Sequence, residues 1–346
     1  MTSQNVLVTG GCGFIGAHAA AHFRKRGARV LCADNLSRKG SNANAEWLGR
    51  EHQVEVERVD VRDAGGIAKV VSAFQPDFII HAAGQVAVTT SVTDPRRDFE
   101  DNLLGTFNTL EAARALPRKP ILLYTSTNKV YGGMEDVGVE LRDGRYAYKS
   151  LPEGCPETRG LDFHSPYGCS KGAADQYVRD YHRIYGLPTV VFRQSCIYGP
   201  RQFGVEDQGW VAWFTIRAVQ GRNVTIYGDG RQVRDVLHVE DLVRAFETAF
   251  EQREKVAGEI FNVGGGPKAT LSLLELLDEL ERIDGRPVQH QMADWRPGDQ
   301  RVFVADIRRI GAVLGWQPKI LPAQGVRSLY AWVRENLAVV ERELNR

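Results

Sequence analysis

Asn5-Val6-Leu7-Val8-Thr9-Gly10-Gly11-Cys12-Gly13-Phe14-Ile15-Gly16 places an apolar run, a glycine-rich turn and the opening of a helical pattern in direct succession. Asn5–Thr9 reads as a strand and Phe14–Arg26 as a helix, so the turn lies where a strand delivers the chain to a helix N-terminus. Gly10, Gly13 and Gly16 permit a tight turn, close approach to a pyrophosphate, and tight packing of helix on strand. The helix start, through Phe14 and Ile15, offers free N–H groups and partial positive charge to phosphates. Asp34, with Asn35 beside it, ends the next strand about 20 residues on, where an acid accepts hydrogen bonds from an adenosine ribose. An acid there also repels a 2′-phosphate. It argues for NAD over NADP, with Arg38 and Lys39 weighing the other way.

Outward from this loop the pattern continues. Strands are expected at Ala28–Ala33, Val54–Val59, Phe78–His81 and Ile121–Ser126, with helices at Ala64–Phe74 and Phe99–Ala115 between them. A long helix is expected from Ser165, a suitable N-cap followed by Pro166, to Gly186, and then a strand at Thr189–Arg193. Alternating strands and helices imply an α/β fold, a doubly wound parallel (Rossmann) sheet. Tyr131–His164, rich in Gly, Pro and charge, reads as a long loop. Beyond Tyr198 the alternation turns irregular, with helices near Gly209–Gln220, Glu240–Glu251 and Leu271–Ile283. The expected organisation is a dinucleotide-binding domain at residues 1–193, rejoined by segments near 233–263, and a smaller C-terminal α/β substrate lobe in 194–346.

Composition narrows the function. A net charge of +1 recruits neither nucleic acid nor an anionic membrane. No apolar run approaches the ~20 residues that span a bilayer. Five cysteines without CxxC or metal-ligand spacing, in a sequence that opens without a signal-peptide pattern, predict reduced thiols in the cytoplasm and no metal site.

Tyr167 and Lys171 stand four residues apart on the long helix and project from one face. Alone, such a pair is usually a solvated one. Beside a cofactor loop, an ammonium that favours the phenolate makes a general base able to take a hydroxyl proton while a nicotinamide takes the hydride. The TGxxGxxG loop, this YxxxK pair and Thr127-Asn128-Lys129-Val130-Tyr131-Gly132 together resemble the extended short-chain dehydrogenase/reductase family over nearly the whole chain, through Arg301. The resemblance implies that Thr127 binds the reacting hydroxyl and that Asp60 and Val61 contact adenine. It further implies that Ala82, Ala83 and Gly84 line the cofactor after His81, and that Asn102 is the structural asparagine of the following helix.

Longer strings resemble the nucleotide-sugar 2-epimerases within that family. They are Leu161 through Tyr177, Ala83-Gly84-Gln85-Val86-Ala87, Asp207-Gln208-Gly209-Trp210, and Asp299 through Ile307. Gly228 through Val239 resembles the nucleotide-sugar signature, implying that Arg234 and Arg301 grip a diphosphate, as forked guanidinium groups suit phosphate oxygens. Gln85, Asn128, His164 and Gln208 complete the implied substrate contacts, whereas Trp210, Trp213 and Tyr227 read as core. Sugar 4,6-dehydratases carry an acidic pair where this chain has Asn128-Lys129, which argues against dehydration. Cys196 stands where 4-epimerases usually have Asn. The resemblance therefore implies inversion at C2 of a nucleotide diphosphate sugar through a 2-keto sugar, with tightly bound NAD, in a homodimer or homotetramer. A 4-epimerase or a dehydrogenase is the alternative within the fold. A non-catalytic NAD-sensing protein of the same fold is the alternative from a different functional class, against which the intact Thr127, Tyr167 and Lys171 stand.

Overall fold

Consecutive aliphatic residues need burial on both faces, which an inner strand of a helix-covered sheet provides. In the computed structural model, which describes residues 4–296 and 299–345, runs of this kind form the middle of a seven-stranded sheet. Its strands are β1 Asn5–Thr9, β2 Arg29–Asp34, β3 Glu55–Arg58, β4 Phe78–His81, β5 Ile121–Thr127, β6 Thr189–Gln194 and β7 Glu259–Val263. They lie in the order β7-β6-β5-β4-β1-β2-β3. β1 pairs in parallel with β2 and β4, β2 with β3, and β4 with β5. The strand order reverses between β1 and β4, and ligands of such sheets bind beyond the strands' carboxyl ends at that reversal. Thr9 lies opposite His81 in register, so the glycine turn and the Ala82–Gly84 turn emerge side by side.

The chain divides into two compact units. The first holds Met1–Val130, Phe163–Arg193 and Val243–Phe261. Its core packs Leu7, Ile79, Leu122 and Val191 from the sheet with Ile67, Val71, Leu110 and Val178 from the helices. Against the other face, Phe250 stacks on Phe78 at 4.7 Å between ring centroids. Helices Phe14–Lys25, Ala64–Phe74 and Ser165–Tyr185 fall where the sequence places them. Ser165 Oγ accepts the Gly168 N–H at 3.3 Å, while the backbone of Ser165 is left-handed, with φ of 64°. The helix expected over Phe99–Ala115 is instead composite. Pro95–Phe99 passes through a single π-helical turn, Glu100–Leu104, into Gly105–Ala115.

The second unit holds Tyr131–Asp162, Gln194–Leu242 and Asn262–Arg346. Strand Val233–His238 pairs there with Thr270–Ser272, Val302–Phe303 and Cys196–Tyr198, and these pairings keep 233–242 in this unit. The returning segment accordingly starts at Val243, and 131–162 clusters with the second unit rather than with residues 1–193. The stretch 131–164, read as loop, contains a hairpin of Val139–Arg142 and Arg145–Tyr148. Asp143 and Gly144 turn it with φ of 51° and 80°, the paired positive values of a type I′ turn. Helices Ser41–His52, Pro322–Glu335 and Leu337–Asn345 are further elements absent from the sequence reading. No described helix is long and apolar enough to cross a membrane.

Candidate active site

The glycine loop is built so that three backbone segments touch. A Cβ on Gly10, whose φ is 66°, would lie 2.6 Å from Ala83 N, and one on Gly16 would lie 2.2 Å from Gly10 O. A Cβ on Gly13 would meet nothing nearer than Gly10 O at 3.2 Å, so that face of the turn stays open for a phosphate. Phe14 and Ile15 open the helix that follows. Asp34 is buried and accepts the N–H groups of Cys12 at 2.9 Å and Leu36 at 2.7 Å. Burial raises its pKa, and those backbone donors oppose the rise. Two carboxylate oxygens offer about four acceptor positions, so hydroxyls of a ribose can still be accommodated. Asn35 Nδ2 donates to Asp60 at 2.9 Å, and Arg62 grips the same carboxylate at 2.9 and 2.8 Å, holding it well below the usual carboxylate range. Asp60 thus fixes the loop beside Asp34, and Val61 packs against Gly105. These features fit a dinucleotide whose pyrophosphate crosses the turn.

Thr127 ends β5, and Tyr167 and Lys171 rise from the long helix; all three are buried. Burial pushes the Tyr167 phenol up to about 12. A hydrogen bond from Thr127 opposes the rise, Asp98 adds to it, and the Arg38 guanidinium opposes it more weakly. Lys171 is not the group lowering the phenol, contrary to the sequence reading, because its ammonium is turned to the sheet. Nζ donates to Thr125 O at 2.7 Å and lies 4.3 Å from the centre of the Tyr124 ring. Burial lowers Lys171 to about 7, with Asp175 and Asp98 opposing the fall. His81, buried between Thr9 at 2.6 Å and Thr106 at 3.0 Å, is pushed down to about 3 by burial and by Lys171, so it stays neutral.

Asn102 lies in the π turn, fully buried, and donates to Asp98 at 3.0 Å and to Ser170 Oγ at 3.2 Å. A Cβ on Gly84 would lie 2.5 Å from Asn102 Oδ1, which explains a glycine after Ala82 and Ala83. Asn128 is buried and accepts from Thr127 Oγ1 at 3.3 Å. Gln85 turns back on its own loop, donating to Ala87 O at 2.6 Å. His164 directly precedes the long helix, with extended backbone. Sequence reading did not select Asp98, Ser170, Tyr124 or the Thr125 carbonyl. The available signal was Asp98 standing one helical turn before Asn102.

The remaining expected contacts lie in the second unit. Gln208 forms a reciprocal backbone bridge with Val205 at 2.9 and 3.0 Å. Arg234 donates to Asp299 at 2.7 Å and to Val233 O at 2.8 Å. Val302 pairs with Val233, which sets Arg301 beside the strand carrying Arg234. Arg301 lies over Tyr146 at 5.2 Å and Trp295 at 5.7 Å. Pro297 and Gly298 of the Arg296–Asp299 string fall outside the described residues. Trp210, Trp213 and Tyr227 are half-buried rather than core, and Arg296 covers the Tyr227 ring at 4.0 Å. Among the described residues no group of three or more His, Cys, Asp or Glu is arranged to hold a metal ion.

The sequence profile of the NAD dependent epimerase/dehydratase family matches residues 6–264. A CDP-paratose 2-epimerase of Salmonella typhi is 46% identical over 95% of this chain and 99% of its own length. A dTDP-glucose 4,6-dehydratase of Escherichia coli is 33% identical over 98% of this chain and 95% of its own. Among solved structures, a UDP-glucose 4-epimerase of Thermotoga maritima with UDP-glucose superposes with a TM-score of 0.83 at 31% identity, covering 96% of this chain and all of that one. A UDP-glucose 4-epimerase of Thermus thermophilus in complex with NAD gives 0.81 at 34% identity, covering 96% and 99%.

Proposed function

The chain belongs to the NAD dependent epimerase/dehydratase family, with NAD as its cofactor, and from that premise we propose that it inverts C2 of CDP-paratose or a closely related nucleotide diphosphate sugar. The observation that carries the choice is the 46% identity, over nearly the whole of both chains, to a CDP-paratose 2-epimerase, against 31–34% for the 4-epimerases and the dehydratase. The site's chemistry agrees. Asn128 and Lys129 supply no carboxylate to drive loss of water, and Cys196 replaces the asparagine of the 4-epimerases.

Bound NAD supplies a reversible hydride acceptor. Gly10, Gly13, Phe14, Ile15 and Gly16 would cradle its pyrophosphate. Asp34 and Asn35 would hold the adenosine ribose, Asp60 and Val61 the adenine, and Ala82, Ala83 and Gly84 the opposite wall. Thr127 orients the C2 hydroxyl, and Tyr167, as phenolate, takes its proton. Thr127 and Arg38 favour this phenolate, and Lys171 stands one helical turn away from it. The 2-keto sugar then turns within the site, tethered by its diphosphate through Arg234 and Arg301, with Gln85, Asn128, His164 and Gln208 as further contacts. Tyr167 would return the proton to the C2 oxygen once C2 has been reduced from its opposite face. The cycle is closed in redox terms, so the cofactor stays bound. We place the enzyme in the cytoplasm, where reduced thiols are stable.

Incubation with a panel of CDP-, GDP- and UDP-sugars, with products resolved by stereochemistry, tests the assignment. CDP-paratose should equilibrate with its C2 epimer without net NADH. With substrate deuterated at C2, turnover should slow and the label should remain at C2 of the product. Washout of that label into solvent would mean deprotonation beside a ketone and would defeat the proposal.

A further inference from the structure

A buried carboxylate that the reaction as described does not use stands beside the tyrosine–lysine pair. Asp98, on the short helix Pro95–Phe99, is 1% exposed. Both its oxygens are taken by neutral donors: Ser170 Oγ donates to Oδ2, and Asn102 Nδ2 donates to Oδ1 at 3.0 Å. Ser170 directly precedes Lys171 in the long helix, and its hydroxyl also accepts from Asn102 at 3.2 Å. Asn102 and Lys171 converge on one point, since a Cβ placed on Gly84 would lie 2.5 Å from Asn102 Oδ1 and 4.0 Å from Lys171 Nζ.

Burying a carboxylate without a counter-ion is costly, and a nearby cation is the usual remedy. The other acid near Lys171, Asp175, raises it more than Asp98 does but already has a cation of its own. Asp175 receives Nε and Nη2 of buried Arg193, each at 2.9 Å, and the Ser126 hydroxyl at 2.8 Å. Among the described residues Asp98 forms no ion pair within contact distance, and Lys171 meets no acceptor but the Thr125 carbonyl and the Tyr124 ring.

We infer that Asp98 is the buried counter-charge of Lys171, a positioning residue that sets the pH at which the tyrosine–lysine pair holds its working protonation. The inference rests on the reading of Tyr167 and Lys171 as that pair. The groups facing them are Asp175 on the same helix, His81 on β4, Tyr124 and Thr127 on β5, Arg38 from the loop after β2, and Asp98. Asp101 in turn faces Asp98. The charge on Asp98 raises both Lys171 and Tyr167. Removing it lowers both, so the whole pH–rate bell should slide toward acid instead of only losing height.

The test compares the NAD-bound wild type with Asp98→Asn, Asp98→Glu and Asp98→Ser, each checked by thermal melting. Lys171 is titrated by NMR with ¹⁵Nζ-labelled lysine, its signal identified by its loss in Lys171→Met. In Asp98→Asn the lysine should titrate about one unit or more below wild type. Both limbs of kcat against pH should follow, and Asp98→Glu should restore them. Asp98→Ser should repeat the shift, and it carries the test should the Asn variant fail to fold. An unchanged lysine titration in a folded neutral variant overturns the inference, whatever happens to turnover. A lysine that shifts while the rate profile stays fixed upholds Asp98 as counter-charge but removes the Tyr167–Lys171 pair from the proposed reaction.

Discussion

Tyr167 has to carry negative charge at a place that discourages it. Burial, with Thr127 and Arg38 opposing it, takes the phenol up to about 12. Burial, with Asp175 and Asp98 opposing it, brings Lys171 down to about 7, so between those values the two groups together hold one proton. The working form, phenolate beside ammonium, is a tautomer of that one-proton state, and its limits belong to the pair rather than to either residue. Below about 7 the pair takes up a second proton, the base is gone, and kcat should fall about tenfold per pH unit. Stopped assays across pH 5–9 read this limb directly, and a flat profile would contradict it. Tyr167→Phe keeps the ring and removes the proton acceptor. It should lower kcat by ~10²–10⁴ while NAD remains bound, which denaturing the variant and quantifying the released nucleotide would check. The positions of Asp34 at the end of β2 and of Tyr167 and Lys171 on the long helix were legible in the sequence because loop distance and helical spacing fix them. The orientation of Lys171 was not legible. It depends on Thr125 and Tyr124, a carbonyl and a ring from a strand more than 40 residues earlier.

Elements were readable where a burial pattern repeats and hidden where it does not. β1, β4 and the Ala64–Phe74 helix match their expected bounds, because each is a continuous or periodic apolar run between turn residues. Helix Ser41–His52 is largely polar and buries Leu48 and Ala43 with a few polar neighbours, so it has little periodicity to find. The hairpin at 139–148 did carry a signal, Asp143-Gly144 between alternating residues, which the polar surroundings masked. The π turn at Glu100–Leu104 has no sequence signature, yet it sets Asn102 against Asp98 and Ser170; such bulges recur at functional sites. The join between the long helix and β6 is the buried, two-pronged Asp175–Arg193 pair. Asp175→Asn leaves the guanidinium buried without its charge partner and should cost ~3–5 kcal/mol. Replacing both residues with apolar ones of similar volume should cost less. Denaturant unfolding of the three proteins decides, and an Asn variant as stable as wild type would show that the pair contributes nothing.

For the molecule as a whole, the pattern of strands and glycines foretold the sheet, whereas the extent of each compact unit depends on pairings between distant strands such as Val233 with Val302. The surface carries one further indication. On the run Pro95–Ala115 and the long helix beside it, Phe99, Leu104, Phe107, Tyr177, Ile184 and Tyr185 all remain at least one-third exposed. Phe107 and Tyr177 meet edge to face at 6.1 Å between ring centroids, so the apolar surface is continuous across the two helices. Monomers rarely leave a large contiguous apolar patch in water. A two-fold axis lets one such patch cover its copy. The expectation is therefore a homodimer, or a dimer of dimers, built on these helices. Light scattering at working concentration should give at least twice the chain mass. Phe107→Glu or Ile184→Glu brings like charges together across a self-paired patch, so either should shift the population toward monomer. Both residues project away from the sheet core, so the melting of the monomer itself should change little. A wild type that stays monomeric, or charged variants that associate as well as wild type, would place any assembly elsewhere on the molecule.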